Sequence, residues 1–193
     1  MKEDHKINSR GFWETQDDSG HMHDQRLMQG LIRLCKGHKF QYLVDFGCGM
    51  GYYAKGLQLA GFHCGAYDVN PNTVELTGGF GEVLDLSEPQ DFGIMYDMVL
   101  SLEVGEHIPK EFEAVFIQNL VNHADKMIVV SWAIPGQAGL GHVNCRDNEY
   151  IIGKFKEKGF RYDERWSGML RRGSVLPWFK KTIMVFHRDG SLL

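Results

Sequence analysis

The chain opens with polar residues, and its first regular apolar spacing follows Asp24, where Leu27, Met28, Leu31, Leu34 and Cys35 recur at steps of three and four. That is the period of one helix face, and an aspartate ahead of it can accept from the unpaired first amides. The pattern predicts a helix capped by Asp24 and ending near Gly37. The rhythm then changes to an apolar run "FQYLVDF", a glycine turn, a helical "YAKGLQLA" closed by Gly61, and a strand-like "FHCGAYD". Such a succession is a βαβ unit with two parallel strands. A turn-rich "NPNTVELTGGF" leads to "GEVLDL" and "YDMVLSL", two further short strands. Pro109 reads as the first helical residue before "KEFEAVFIQNLVNHA", whose Phe112, Val115, Phe116 and Leu120 share a face. "KMIVVSWA" is a fifth strand.

The last third breaks the alternation. "IPGQAGLGHVNCR" is too rich in glycine for a helix or a central strand, and long loops of this kind usually carry function. Asp147 is placed to cap "NEYIIGKFKEKG", which Gly159 terminates. "RYDERWS" and "TIMVFHR" read as two terminal strands joined by "GMLRRGSVLPWFK". The expected fold is α/β: a Rossmann-like, seven-stranded, mostly parallel sheet with helices on both faces and a terminal antiparallel hairpin. One domain is expected over residues 1–193, with 1–23 a polar segment able to act as a lid.

Composition narrows the partners. With 43% apolar residues among 193, the chain can bury a core of domain size. A net charge of -4 supplies no broad basic face, which disfavours nucleic acid as a partner. The four cysteines, Cys35, Cys48, Cys64 and Cys145, show no Cys-x-x-Cys spacing and read as reduced thiols rather than a zinc site. No stretch approaches a membrane span and the start lacks the apolar run of a secretion signal, so a cytoplasmic protein is expected.

The most informative stretch is "VDFGCGMGYY". Gly47 and Gly49 fit the Gly-x-Gly-x-x-Gly of dinucleotide folds, but the third glycine position falls on Tyr52. The glycines run instead Gly47, Gly49, Gly51, with Asp45 two residues ahead. "DFGCGMG" resembles the first motif of class I S-adenosylmethionine-dependent methyltransferases, and the resemblance extends from about Phe40 to His187. It implies that Asp45, Gly47, Gly49 and Gly51 cradle S-adenosyl-L-methionine and that Asp68 of "AYDVN" holds the ribose hydroxyls. It also implies that Asp85 of "VLDLS" receives the adenine amino group while Leu86 flanks the ring. "YDMVLSLEV" matches the fourth-strand motif, whose end, with Ser101, lies beside the methionine part and the reacting methyl.

Methyl transfer from a sulfonium is an in-line displacement that needs alignment above all, and an alcohol acceptor needs a base as well. The Asn/Asp-Pro-Pro-Tyr/Phe motif of enzymes that methylate amines and amides in DNA and protein is replaced here by Ser101, Leu102, Glu103 and Val104. A hydroxyl acceptor is therefore expected. "GEHIP" is similar to a run in many small-molecule methyltransferases and makes His107 a candidate. His142, on the glycine loop after the fifth strand, is the preferred base, with Glu103 or His107 near the acceptor and Asn144 orienting substrate hydroxyls. His21 and His23 are candidates to cover the cofactor or touch substrate. A cation held by Glu103, Glu106, His107 and Asp68 is an alternative that the spacing does not require, so no metal is expected. Phe12, Trp13, Trp132, Trp166, Arg171, Arg172, Trp178 and Phe179 would suit a ring with polar edges, although Trp132 and Trp166 on strands are equally core positions. The expectation is an O-methyltransferase acting on a sugar or glycan, supported by a weaker resemblance to methyltransferase domains of glycan-synthesis proteins. A small-molecule or natural-product methyltransferase and a non-catalytic cofactor-binding subunit are the alternatives.

Overall fold

The computed structural model describes residues 22–190. Seven strands form one sheet: β1 (Tyr42–Phe46), β2 (His63–Asp68), β3 (Glu82–Val83), β4 (Tyr96–Leu102), β5 (Ala124–Ser131), β6 (Phe160–Tyr162) and β7 (Met184–Arg188). Their spatial order is β3-β2-β1-β4-β5-β7-β6. All neighbours are parallel except β7, which runs antiparallel to both β5 and β6. The expected sheet and terminal antiparallel pair are thus present. The order reverses between β1 and β4, and in open α/β sheets the crevice beyond the strand ends at such a reversal is where ligands bind.

Alternate residues of the central strands build the two sides of the core. Leu43, Met98, Leu100, Met127, Val129 and Val185 face one cluster, shared with α1 (Gln25–Gly37), α2 (Tyr52–Leu59) and α6 (Glu164–Gly173). Val44, Phe46, Val99, Ile128, Val130 and Phe186 face the other, shared with α4 (Glu113–His123) and α5 (Asn148–Glu157). Side chains alternate across a strand, so a sheet covered on both faces reads as continuous apolar runs. Asp24 caps α1 by accepting from Arg26 N and Leu27 N, and Asp147 caps α5 through Tyr150 N.

Several boundaries differ from the pattern reading. "RYDERWS" is a strand only to Tyr162; Asp163 then accepts from Trp166 N and starts α6, so a helix occupies what reads as the end of a strand. Pro109 is extended (φ -55, ψ 146) and precedes a 3-10 turn over Lys110–Phe112 that leads into α4, rather than being the first helical residue. "GEVLDL" pairs only at Glu82 and Val83, because Asp85 turns the chain by accepting from Ser87 N at 2.8 Å. "NPNTVELTGGF" contains a short helix, α3 (Thr73–Leu76). Phe12, Trp13 and His21 lie outside the described residues. Among the described residues, no helix is long and apolar enough to cross a membrane.

Candidate active site

The glycine loop leaves β1 at the reversal point and is held from the β2 side. Gly47 N and Cys48 N donate to Tyr67 O at 2.8 and 3.0 Å. Asp68, the last residue of β2, accepts from Gly49 N at 2.8 Å with one carboxylate oxygen and from Asn70 N at 3.0 Å with the other. Gly47 (φ 81) and Gly51 (φ 72) occupy the left-handed region. A side chain at Gly47 would overlap Val104, and one at Gly51 would overlap Phe80. The close approach that these two glycines permit is therefore made by the protein's own side chains.

That cleft, of ≈ 350 Å³, is within the usual range for small-molecule sites, ~300–1,000 Å³. Asp45, Gly47, Gly49, Asp68, Asp85 and Leu86 line it. Gly51 does not; it starts α2 instead. Ser101 does not line it either: its hydroxyl donates to Phe46 O at 2.7 Å and pins β4 to β1. Asp45 is 2% exposed, and its Oδ2 meets no hydrogen-bond donor. Burial, with Asp68 alongside, pushes its carboxyl up to about 7.

Glu103, just past β4, has φ 55, a conformation that non-glycine residues adopt rarely and that persists only where surroundings over-determine it. Its amide donates to Ser131 Oγ at 2.8 Å, and its carboxylate accepts from Gln137 Nε2 at 2.8 Å and Thr182 Oγ1 at 3.4 Å. Glu103, His107 and His142 all line the cleft, together with Gln137 and Leu140 of the glycine-rich loop.

The two histidines belong to a cluster with Glu106. One ligand atom each from Glu106, His107 and His142 lie within 4.8 Å of one another. Glu106 is fully buried and neither carboxylate oxygen meets a donor. Burial and the neighbouring Glu103 carboxylate raise its pKa well above the carboxylate range. Either a proton held in this acidic pair or a cation relieves that arrangement. His107 Nδ1 lies 3.1 Å from Gly141 O and His142 Nδ1 lies 3.2 Å from Gln137 O. A carbonyl only accepts, so each neutral ring carries its proton on Nδ1 and its lone pair on Nε2. His142 Nε2 is 4.0 Å from Glu106 Oε1. Burial, and then His142, lower the His107 pKa to about 4, which keeps that ring uncharged at neutral pH. Two imidazoles turned by backbone carbonyls toward a buried carboxylate match a divalent-cation donor set. Of the residues grouped for a cation from the sequence, Glu106 and His107 belong to this cluster; Asp68 is engaged at the glycine loop.

Several expected substrate contacts are elsewhere. Asn144 is fully buried: it donates to Glu113 Oε2 at 2.9 Å, and its carbonyl accepts from Trp132 Nε1 at 2.6 Å. Trp132 is core, and Trp166, Arg171 and Arg172 do not line the cleft. Trp178 and Phe179 do, at the start of the short helix α7 (Phe179–Thr182). Met22, also on the cleft wall, begins a strap whose His23 ring packs 5.5 Å from Tyr52 and 5.0 Å from Tyr53.

No family model matches the chain. A ubiquinone biosynthesis O-methyltransferase from Rickettsia typhi is 31% identical over 138 residues, covering 64% of this chain and 54% of that protein. The chain spans about half or less of the length of the curated relatives it matches. Among solved structures, magnesium protoporphyrin IX methyltransferase from Synechocystis PCC 6803 with bound S-adenosylhomocysteine is similar with a TM-score of 0.67 at 19% identity, covering 86% of this chain and 83% of that one. A sugar N-methyltransferase from Streptoalloteichus sp. ATCC 53650 is similar with a TM-score of 0.66 at 13% identity, covering 85% of this chain and 87% of that one.

Proposed function

We propose, from the class I S-adenosylmethionine-dependent methyltransferase fold that this chain carries, that it transfers a methyl group from S-adenosyl-L-methionine to a hydroxyl of a small ring compound, with a sugar as the first acceptor to test. The observation that carries the reading is one cleft lined both by Asp45, Gly47, Gly49 and Asp68 and by Glu103, His107 and His142. Asp68 and Asp85 are the acceptors for the ribose diol and the adenine amino group, and Leu86 supplies an apolar face. The acidic pair Asp45 and Asp68 favours a cationic cofactor.

S-adenosyl-L-methionine, held by Asp45, Gly47, Gly49 and Asp68, would supply its sulfonium methyl to the acceptor oxygen, with the electron pair of the broken carbon–sulfur bond staying on the departing S-adenosylhomocysteine. The hydroxyl proton passes to His142 Nε2, whose lone pair is set by the Nδ1 contact with Gln137 O. The Rickettsia typhi relative is an O-methyltransferase, which supports oxygen as the acceptor atom. The Streptoalloteichus enzyme acts on a sugar, and Trp178, Phe179 and Leu140 offer flat or apolar walls to such a ring. A cytoplasmic setting fits this chemistry.

The donor-less carboxylate of Glu106 favours a second reading of the same step. Glu106, His107 and His142 would hold a divalent cation that lowers the pKa of the acceptor hydroxyl. Parallel calorimetry with S-adenosylmethionine, S-adenosylhomocysteine and NAD tests the cofactor: binding of the two sulfur ligands alone supports the proposal, and silence with both refutes it. Sugar and phenolic acceptors are then screened by mass spectrometry for a methyl gain, with and without a chelator. Loss of turnover on chelation, restored by Mg2+, Mn2+ or Zn2+, selects the cation; indifference selects His142 as sole base.

A further inference from the structure

The loop from Ala133 to Asp147 carries His142 into the cleft, and its two feet are tied to each other. Arg146 N donates to Ala133 O at 3.0 Å, closing the loop on itself. Val143 N and Asn144 N both donate to Glu106 O at 2.9 Å, so the residues just after His142 are pinned to the backbone of its cluster partner. A side chain at Gly139 would overlap the His142 ring, so the near side of the loop folds directly against that imidazole.

One buried carboxylate gathers the far side of this loop. Glu113, the first residue of α4, is 6% exposed. Its Oε2 accepts from Asn144 Nδ2 at 2.9 Å and from Arg146 Nε at 2.7 Å, and its Oε1 accepts from the Tyr150 hydroxyl at 2.5 Å. Burial opposes its charge, but the donors from Tyr150, Asn144 and Arg146 outweigh burial and hold the carboxyl below its usual range. A charged acceptor with three donors from one short segment is a strong local anchor, since charge-assisted bonds are about twice as strong as neutral ones. Asn144, also bound by Trp132 Nε1, stands between that anchor and Glu106.

We infer that Glu113 is a positioning residue that holds the His142 loop in register with Glu106 and His107. It lies outside the cleft lining and acts through Asn144. The inference rests on the reading of His142 as base or cation ligand, and it applies to either. The charged group facing Glu113 is Arg146 from the loop, whose guanidinium carbon also lies 4.6 Å from the centroid of the Tyr150 ring. Replacing the carboxylate by an amide therefore removes the ion pair and exchanges one of the two acceptor oxygens for a donor nitrogen, so the three donors can no longer all be accepted as they are.

The test uses E113Q in the full chain saturated with S-adenosylhomocysteine, so it needs no acceptor. Amide exchange of Val143 and Asn144 and the ring resonances of His142, assigned with H142A, are compared with wild type. The expected result is about tenfold faster exchange at those two amides and a shifted or broadened His142 ring, while cofactor affinity and α1 amides change less than about twofold. A uniform loss of protection, or an unmoved His142 ring, overturns the inference, because a merely structural glutamate gives one of those. If E113Q does not fold, N144A cuts the same link with the Glu113 charge retained, and the same two outcomes apply. Wild-type turnover in H142A would instead sink the reading of His142, a result independent of the exchange data.

Discussion

Asp45 is buried, one of its oxygens meets no donor, and its carboxyl is pushed up to about 7 by burial and by Asp68, so cofactor affinity should fall in mild acid. The sign follows from which form the ligand selects. A cationic cofactor favours the ionised carboxylate, so affinity is full above about 7 and is lost as pH falls through it. If only the ionised form binds, the penalty is a factor of about 1.1 at pH 8 and about 11 at pH 6, a loss of roughly tenfold, or ~1.4 kcal/mol. His107, held near 4, stays neutral across that window and does not contribute. Glu106 also has a raised carboxyl, so a variant must assign the effect. Titration calorimetry with S-adenosylmethionine at pH 6, 7 and 8, in buffers of different ionisation enthalpy, reads both affinity and proton release. Wild type should release close to one proton per site at pH 6 and almost none at pH 8, and D45N should bind weakly at every pH with no release. An affinity constant within about twofold from pH 8 to pH 6, without proton release, would refute the reasoning.

D68A removes the acceptor of Gly49 N and Asn70 N along with the candidate diol partner, so S-adenosylmethionine affinity should drop by about a hundredfold or more, on ~1.5–3 kcal/mol per charge-assisted bond; unchanged calorimetric affinity would overturn the placement. H142A should lower turnover by ~100- to 10,000-fold while cofactor affinity holds within about twofold. Wild-type rates in that variant remove His142 as the base. G105A places a methyl into the Trp132 ring, and overpacking of this kind costs ~1–3 kcal/mol, so the Tm should fall by several degrees. A Tm equal to that of wild type would show that Trp132 can shift without cost.

The sequence by itself determined the parts that depend on short-range periodicity. Leu43, Val44 and Phe46 around Asp45, and Met127 to Val130, put apolar side chains on both faces, which only a strand covered on both sides tolerates, and Asp24 and Asp147 mark helix starts because a cap acts within three residues. The glycine run beside Asp45 was equally legible, since left-handed backbone is a local demand. "RYDERWS" was misread because Asp163 also accepts from His187 Nε2 at 2.8 Å, a partner on β7 that no local pattern announces and that helps hold the turn where the strand stops. Asn144 was misread for the same reason: its partners, Glu113 and Trp132, lie 31 and 12 residues away, and they turn an apparent substrate contact into a buried brace. What only the tertiary structure decided is the convergence beyond the strand ends. His142 meets Glu106 and His107 because a loop after β5 folds back over the end of β4, and the Glu106 carboxylate becomes buried without a donor. Periodicity records which face of an element is apolar, whereas the chemistry of this cleft depends on distances between loops, and those are set by the order of the strands that carry them.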